Sequence, residues 1–312
     1  MDRLTENKIV LVVRSTRLDE LVARFNTLGQ AKFYVEHLGA DFSDYIQEHE
    51  TYKHSVSIAQ YHLAKLGRLQ TLHRTYLPNF VFGDEDTVVV LGQDGLVANT
   101  AKYLSNQPII GVNPDPSRWD GVLLPFVVDD LPRILPDVFV NARLVKEVTM
   151  ARAELNTGEY LYGVNDLFIG PRSHVSARYE IRLGNQTEQQ SSSGIIVSTG
   201  LGSTGWFKSI LAGATGVARQ ITGTPIEAKD IGRFSWDANY LYYSVREPFP
   251  SRTSSATLVF GRITTDQPMT LVSQMPENGV IFSDGIESDF LQFNSGVQAT
   301  IGIADKRGHV VV

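Results

Sequence analysis

Val88-Val89-Val90-Leu91-Gly92-Gln93-Asp94-Gly95 is a run of β-branched and apolar residues ending in a glycine-rich turn. Such a run predicts a buried strand. The residues from about Leu96 (Leu-Val-Ala-Asn-Thr-Ala-Lys-Tyr-Leu) predict a helix. A strand passing through a short turn into a helix is the repeating unit of a parallel, helix-covered sheet. Ligands of open α/β sheets bind outside the carboxyl ends of the strands, the position that Asp94 occupies. Taken alone, the turn also reads as an ordinary connection whose Asp satisfies nearby backbone donors.

The neighbouring residues extend the same pattern. Lys-Ile-Val-Leu-Val-Val at 8–13 reads as a first buried strand, followed by a helix from Leu18 to about Leu28. Residues 31–66 read as helical, with a break at Gly39. Within them Tyr45, Ile46, His49, Tyr52 and Lys53 recur at helical spacing. Residues 68–74 and 108–113 read as further strands, so an α/β domain is expected over residues 1–140. The acidic helical region at 41–50 has no role that the sequence assigns.

After about residue 141 the pattern changes to short alternating segments separated by turns. They lie at 144–153, 160–169, 177–183, 194–199, 240–245, 257–263, 269–273, 280–282, 290–293, 299–303 and 309–312. This predicts an all-β, sandwich-like domain over residues 141–312, with one clear helix from Ser203 towards Arg219.

Composition bounds the function. The 312 residues are 42% hydrophobic and 20% charged, as in an ordinary globular protein of two domains. A net charge of −6 argues against nonspecific nucleic-acid or anionic-membrane binding. The absence of cysteine excludes disulfides, thiolate metal sites and Cys nucleophiles. The stretch from Met1 to Lys8 has no apolar signal core, and no apolar run approaches the ~18 residues of a membrane span. A cytoplasmic protein is expected.

Three further stretches are candidates for chemistry. Gly200-Leu201-Gly202-Ser203-Thr204-Gly205 follows an apolar strand and matches G-x-G-x-x-G. The segment after its helix, 221–225, lacks the strand and acid of a dinucleotide fingerprint, so a Rossmann dehydrogenase is not expected. Either the turn cradles an anion or Ser203 caps the helix. Asn165-Asp166 interrupts an apolar strand pattern, which places the pair at a strand end near a site or at a turn. Asp284-Gly285 reads as a hairpin turn. Residues 171–178 read as a loop leading into a strand, whose Arg172, His174 and Arg178 either meet phosphates or are simply solvated. The histidines have no ligand-pair spacing, and no protein-built metal site is expected.

In order and spacing, LGQDG, IIGVNPDPSRWDG, GVNDLFIG…SARYEI, SSSGIIVSTGLGSTGW and VIFSDGIESDFLQF together resemble the NAD kinase family. The resemblance is nearest to its mitochondrial-type branch and that branch's bacterial relatives. It covers roughly residues 88–206 and the Asp284 region, and it implies the two-domain fold of NAD and diacylglycerol kinases. It further implies ATP-dependent phosphorylation of NAD at the adenosine 2′-hydroxyl, with Mg2+ arriving on ATP, in a homodimer or homotetramer. By the match, Asp94 is the catalytic base. The same resemblance implies that Gly92, Gln93, Gly95, Asn165, Asp166, Thr199, Gly202, Ser203, Thr204 and Asp284 bind nucleotide.

Four residues depart from the family pattern: Gln93 stands for a Gly, Leu96 for a Thr, Asp166 for a Glu and Trp206 for a Tyr. The Gln93 bulk motivates an alternative, a non-catalytic NAD(P)-binding regulatory protein on the same scaffold. A kinase for a lipid or sugar hydroxyl is the other.

Overall fold

The computed structural model describes residues 3–224 and 233–312. Met1, Asp2 and Pro225, which belong to stretches read above, lie outside the described residues. The chain forms two compact units: one runs to Lys146 and includes His309–Val312, and the other is Glu147–Gly308.

In the first unit the elements are β1 (Lys8–Val13), α1 (Arg17–Phe25), α2 (Leu28–His37), α3 (Phe42–Leu66), β2 (Arg68–His73), β3 (Thr87–Leu91), α4 (Asp94–Ala101), β4 (Pro108–Asn113), β5 (Phe126–Val127) and α5 (Leu131–Phe139). The sheet runs β2-β1-β3-β4, and every pair in it is parallel. Parallel strands covered by helices are apolar on both faces, and all five residues of β3 are buried. The outer edge of β4 is shared: His309 and Val310 pair with its first half, Phe126 and Val127 with its second.

Helix α3 covers one face of this sheet. Glu48, Tyr52, Ser55, Ala59 and Leu63 are its buried residues after Phe42, spaced at the 3.6-residue period. Their apolar members pack with Ile9, Leu11, Val89, Ile110 and the α5 residues Leu131 and Leu135. Burying a side chain such as Leu63 contributes about 2 kcal/mol. The helix expected from Leu18 to Leu28 instead stops at Phe25. Asn26 takes a left-handed conformation there, and Thr27 caps α2. Gly39, at φ +78°, separates α2 from α3.

The second unit contains β6 (Val145–Leu155), β7 (Tyr160–Gly163), β8 (Asp166–Pro171), β9 (Ala177–Leu183), β10 (Gln186–Ser192), β11 (Ile195–Ser198), α6 (Trp206–Thr222), β12 (Tyr240–Val245), β13 (Phe260–Thr264), β14 (Met269–Ser273), β15 (Gly279–Ser283), β16 (Ile286–Gln292) and β17 (Gln298–Val311). One antiparallel sheet has the order β13-β12-β11-β8-β15-β16. The other runs β10-β9-β14-β17, with β6 beside β17 and β7 beside β6. Leu167, Ile169, Val197, Tyr243 and Ile281 from the first sheet share one core with Tyr179, Ile181, Leu271 and Ile301 from the second. This is the expected sandwich.

Residues 160–169 are not one strand. The chain bends at Val164 and Asn165, separating β7 from β8. Among the described residues, no helix is long and apolar enough to cross a membrane.

Candidate functional site

In the first unit the candidate residues lie at the carboxyl end of β3. The helix begins at Asp94, two residues earlier than the sequence suggests, so Asp94 is the first helical residue and not part of the turn. Its carboxylate is held by two backbone donors. Val122 N–H reaches Oδ2 at 3.1 Å and Leu123 N–H reaches Oδ1 at 2.8 Å. Each oxygen keeps further acceptor capacity. The N–H groups of Asp94 and Gly95 open the helix and have no helical acceptor before them, a geometry that favours anions.

Gln93 is the residue before α4, with φ −110° and ψ 163°. That is extended backbone, open to any residue, so the chain conformation does not require glycine here. The Gln93 side chain makes no capping bond and is half-buried. A side chain at Gly95 would meet no protein atom within 4 Å, whereas one at Gly92 would meet Leu96 Cδ2 at 2.8 Å. The buried Leu96 thus packs over Gly92.

The polar surroundings of this sheet edge include a chain of ion pairs. Glu48 Oε1 and Arg14 are 3.0 Å apart, Arg17 reaches Glu48 Oε2 at 2.5 Å and Asp44 at 2.7 Å, and Arg118 meets Asp44 at 2.7 Å. Burial alone would raise the Glu48 carboxyl, but the hydrogen bonds from Arg17 and Arg14 outweigh it and hold it below the usual range. The acidic stretch of α3 therefore acts structurally, tying the helix to α1 and to the loop after β4.

In the second unit, three stretches of the sequence converge. Asp284 and Gly285 occupy the β15–β16 turn with φ 55° and 72°, the paired left-handed conformation of a type I′ hairpin. The Asp284 carboxylate faces the bend before β8. Its Oδ1 accepts from the N–H groups of Val164 (3.0 Å), Asn165 (2.6 Å) and Asp166 (3.3 Å). Thr199 Oγ1 donates to the carbonyls of Val164 (2.5 Å) and Asn165 (3.1 Å) and accepts from Gly202 N–H at 3.2 Å. A Cβ at Gly202 would lie 2.0 Å from the Asn165 carbonyl oxygen, so this contact needs glycine.

Ser203 does not cap the helix. Gly205 precedes α6, and the buried Ser203 hydroxyl donates to the Gly200 carbonyl at 2.7 Å inside a short 3-10 turn. Thr204 is exposed beside it. The ring of Trp206 stacks on Phe168, with centroids 5.9 Å apart. Of the cations between residues 171 and 178, Arg172 lies over the Phe290 ring at 3.5 Å, and Arg178 is exposed.

Asp166 opens β8 and is 8% exposed. Its backbone is bound on both sides, yet its carboxyl meets no hydrogen-bond donor among the described residues. Burial, followed by the charge of Asp284, pushes it up to about 7. An acid so placed stays protonated or takes its missing donor from a ligand.

The Asp284 carboxylate is the pin of this cluster. Asp284→Ala leaves three N–H groups without their acceptor, at an expected cost of about 2–4 kcal/mol. Thermal unfolding checks this, with Asp284→Asn expected to lose less. Sequence reasoning reached Asp284 as a turn residue. It missed Val122 and Leu123, which act through backbone N–H groups that any residue supplies.

This architecture, a parallel α/β unit and an antiparallel β unit, is shared with two solved kinases. The structure matches the NAD kinase from Archaeoglobus fulgidus solved in complex with ATP, at 15% identity over 98% of this chain and 93% of that one, with a TM-score of 0.54. It also matches the yeast NADH kinase complexed with NADH, at 14% identity over 99% and 84% of the two chains, with a TM-score of 0.56. At such identities the likeness shows the fold. No protein-family profile and no curated protein matches the chain.

Proposed function

We propose that this protein is an ATP-dependent kinase that phosphorylates NAD at the adenosine 2′-hydroxyl, with Asp94 as the base. The observation that carries the reading is Asp94 itself. It stands at the carboxyl end of β3, at the start of α4, with its carboxylate oriented by the N–H groups of Val122 and Leu123. Phosphoryl transfer needs an aligned hydroxyl, an acceptor for its proton and neutralised phosphate charge. Asp94 would accept the proton, and the first-turn N–H groups of α4 would face phosphate. Asn165, Asp166, Thr199, Gly202, Ser203, Thr204 and Asp284 would form the dinucleotide-binding cluster, where Asp166 awaits a donor. Gly92, Gln93 and Gly95 would line the approach of ATP.

Magnesium would come with ATP, held by phosphate oxygens and water. Among the described residues no three His, Asp or Glu side chains gather into a cation cage. A coupled assay of NADP+ formation with purified protein and Mg-ATP tests the reading, and absence of turnover sinks it. Light scattering checks the accompanying expectation of a homodimer or homotetramer.

Gln93, half-buried and making no capping bond, favours one second reading, a nucleotide-binding protein without turnover. Calorimetry would then show NAD binding with no NADP+ formed. Gln93→Gly separates the two. Gly is at least as good a helix N-cap as Gln, so the melting temperature should stay within about 2 °C. On the kinase reading the variant shifts the KM for ATP. On the second reading it creates turnover where there was none.

A further inference from the structure

The buried polar side chains of α3 lie on the same stripe as its apolar ones. Glu48, Tyr52 and Ser55 follow one another at helical spacing and are 4%, 2% and 6% exposed. Each meets the carboxyl end of a parallel strand. Glu48 pairs with Arg14, the residue after β1, and Ser55 Oγ donates to the Pro114 carbonyl after β4 at 2.9 Å. The Tyr52 hydroxyl joins two strand ends at once. It accepts from Arg14 N–H at 2.9 Å and donates to the Leu91 carbonyl at 2.9 Å.

Leu91 is the last residue of β3 and the one before Gly92. The β1–β3 ladder ends one step earlier, at Val12 and Val90. Beyond that point the two strands no longer pair with each other, and backbone polar groups there need other partners in a dry environment. The phenol supplies one acceptor and one donor there. Burial raises the phenol to about 12, so it keeps its proton, and its donor role, through the neutral range.

We propose that Tyr52 is a positioning residue for the Gly92-Gln93 turn and the start of α4: it bridges the ends of β1 and β3 where their ladder stops and sets the direction in which Gly92 and Asp94 leave the sheet. Its catalytic consequence rests on the kinase reading above. Its structural consequence does not. The Tyr52 hydroxyl bonds to Arg14 and Leu91 and the Asp94 carboxylate to Val122 and Leu123, so the effect is one of aim, and small misplacements of a reacting group are costly to rate.

The test compares Tyr52→Phe with Ser55→Ala. Phe keeps the ring and its packing and removes only the bridging hydroxyl. Ser55→Ala removes a buried bond from the same helix to a different strand end. Two measurements are made on the full chain. Amide hydrogen exchange should quicken at least about tenfold across residues 92–97 in Tyr52→Phe, with β4 unchanged, and should not quicken there in Ser55→Ala. In steady-state assays Tyr52→Phe should lower kcat by about tenfold or more at nearly constant KM for NAD and ATP, while Ser55→Ala stays within about twofold. Unchanged exchange at 92–97 in Tyr52→Phe, or an equal loss of kcat in both variants, overturns the proposal. If the wild type turns over no NAD, the kinase reading fails, and the exchange comparison alone decides the positioning role.

Discussion

Asp94→Asn should lower kcat by about 10²- to 10⁴-fold, the contribution of a general base, while the dissociation constant for NAD stays within about threefold. The geometry makes the substitution more than a loss of basicity. Val122 N–H and Leu123 N–H each point at one carboxylate oxygen. An amide offers one oxygen and turns two N–H donors towards the other side. One backbone donor then faces another donor, and the 122–123 segment must shift. Asp94→Glu keeps two acceptors but moves them by one methylene, so it should retain more activity than the Asn variant. NADP+ formation gives kcat, and calorimetry with NAD gives the binding arm. A kcat within fivefold of wild type in Asp94→Asn would remove Asp94 from the role of base.

The second large effect is on stability and has a definite sign. Folded Asp166 holds its proton to about pH 7, whereas in the unfolded chain it loses it near 3.8. Between those values the folded protein binds more protons, so this residue makes stability fall as pH rises from about 4 to about 7. Below pH 4 the penalty vanishes, and above pH 7 it is constant, of the order of 4 kcal/mol. Asp166→Asn has no such proton to hold. The variant should gain on wild type by several kcal/mol between pH 4 and pH 7.5, measured as the difference between paired urea unfolding curves. Glu48 acts in the opposite direction, since its lowered carboxyl gives stability that is lost on acidification. Because both proteins share it, it cancels in the comparison. A difference that does not change with pH would show that Asp166 is ionised in the folded state throughout.

Much of this fold is legible from apolar pattern. The bounds of β1, β4, β9, β12 and β14 follow directly from runs such as Lys-Ile-Val-Leu-Val-Val, where neighbouring turns mark the ends. Strand β10, Gln-Thr-Glu-Gln-Gln-Ser-Ser, was illegible because its pairing with β9 comes from backbone bonds, and its side chains carry no alternating apolar signal. Helix α5 does carry the signal, in Leu131, Ile134, Leu135 and Val138, but Pro132 and Pro136 read as breaks. Strand β17 reads as two short pieces because the polar residues Asp305, Lys306 and Arg307 interrupt it. The site divides the same way. A local motif placed Asp94 at a strand end and Asp284 in a hairpin. What each carboxylate grips, 28 and 120 residues away, depends on tertiary approach and on peptide N–H groups that every sequence contains.

The four residues His309–Val312 carry a consequence for the order of assembly. Val311 is fully buried in the core of the first unit with Ile110 and Val112, and Val312 exchanges backbone and side-chain bonds with Leu144 and Arg143. A growing chain makes β4 some two hundred residues before it makes the segment that closes that strand's edge. During synthesis the first half of that edge, Pro108 and Ile109, therefore waits unpaired while Phe126 and Val127 cover the second half, and loop closure over so long a separation is slow. Such a half-edge is where a nascent chain would pair with a neighbour.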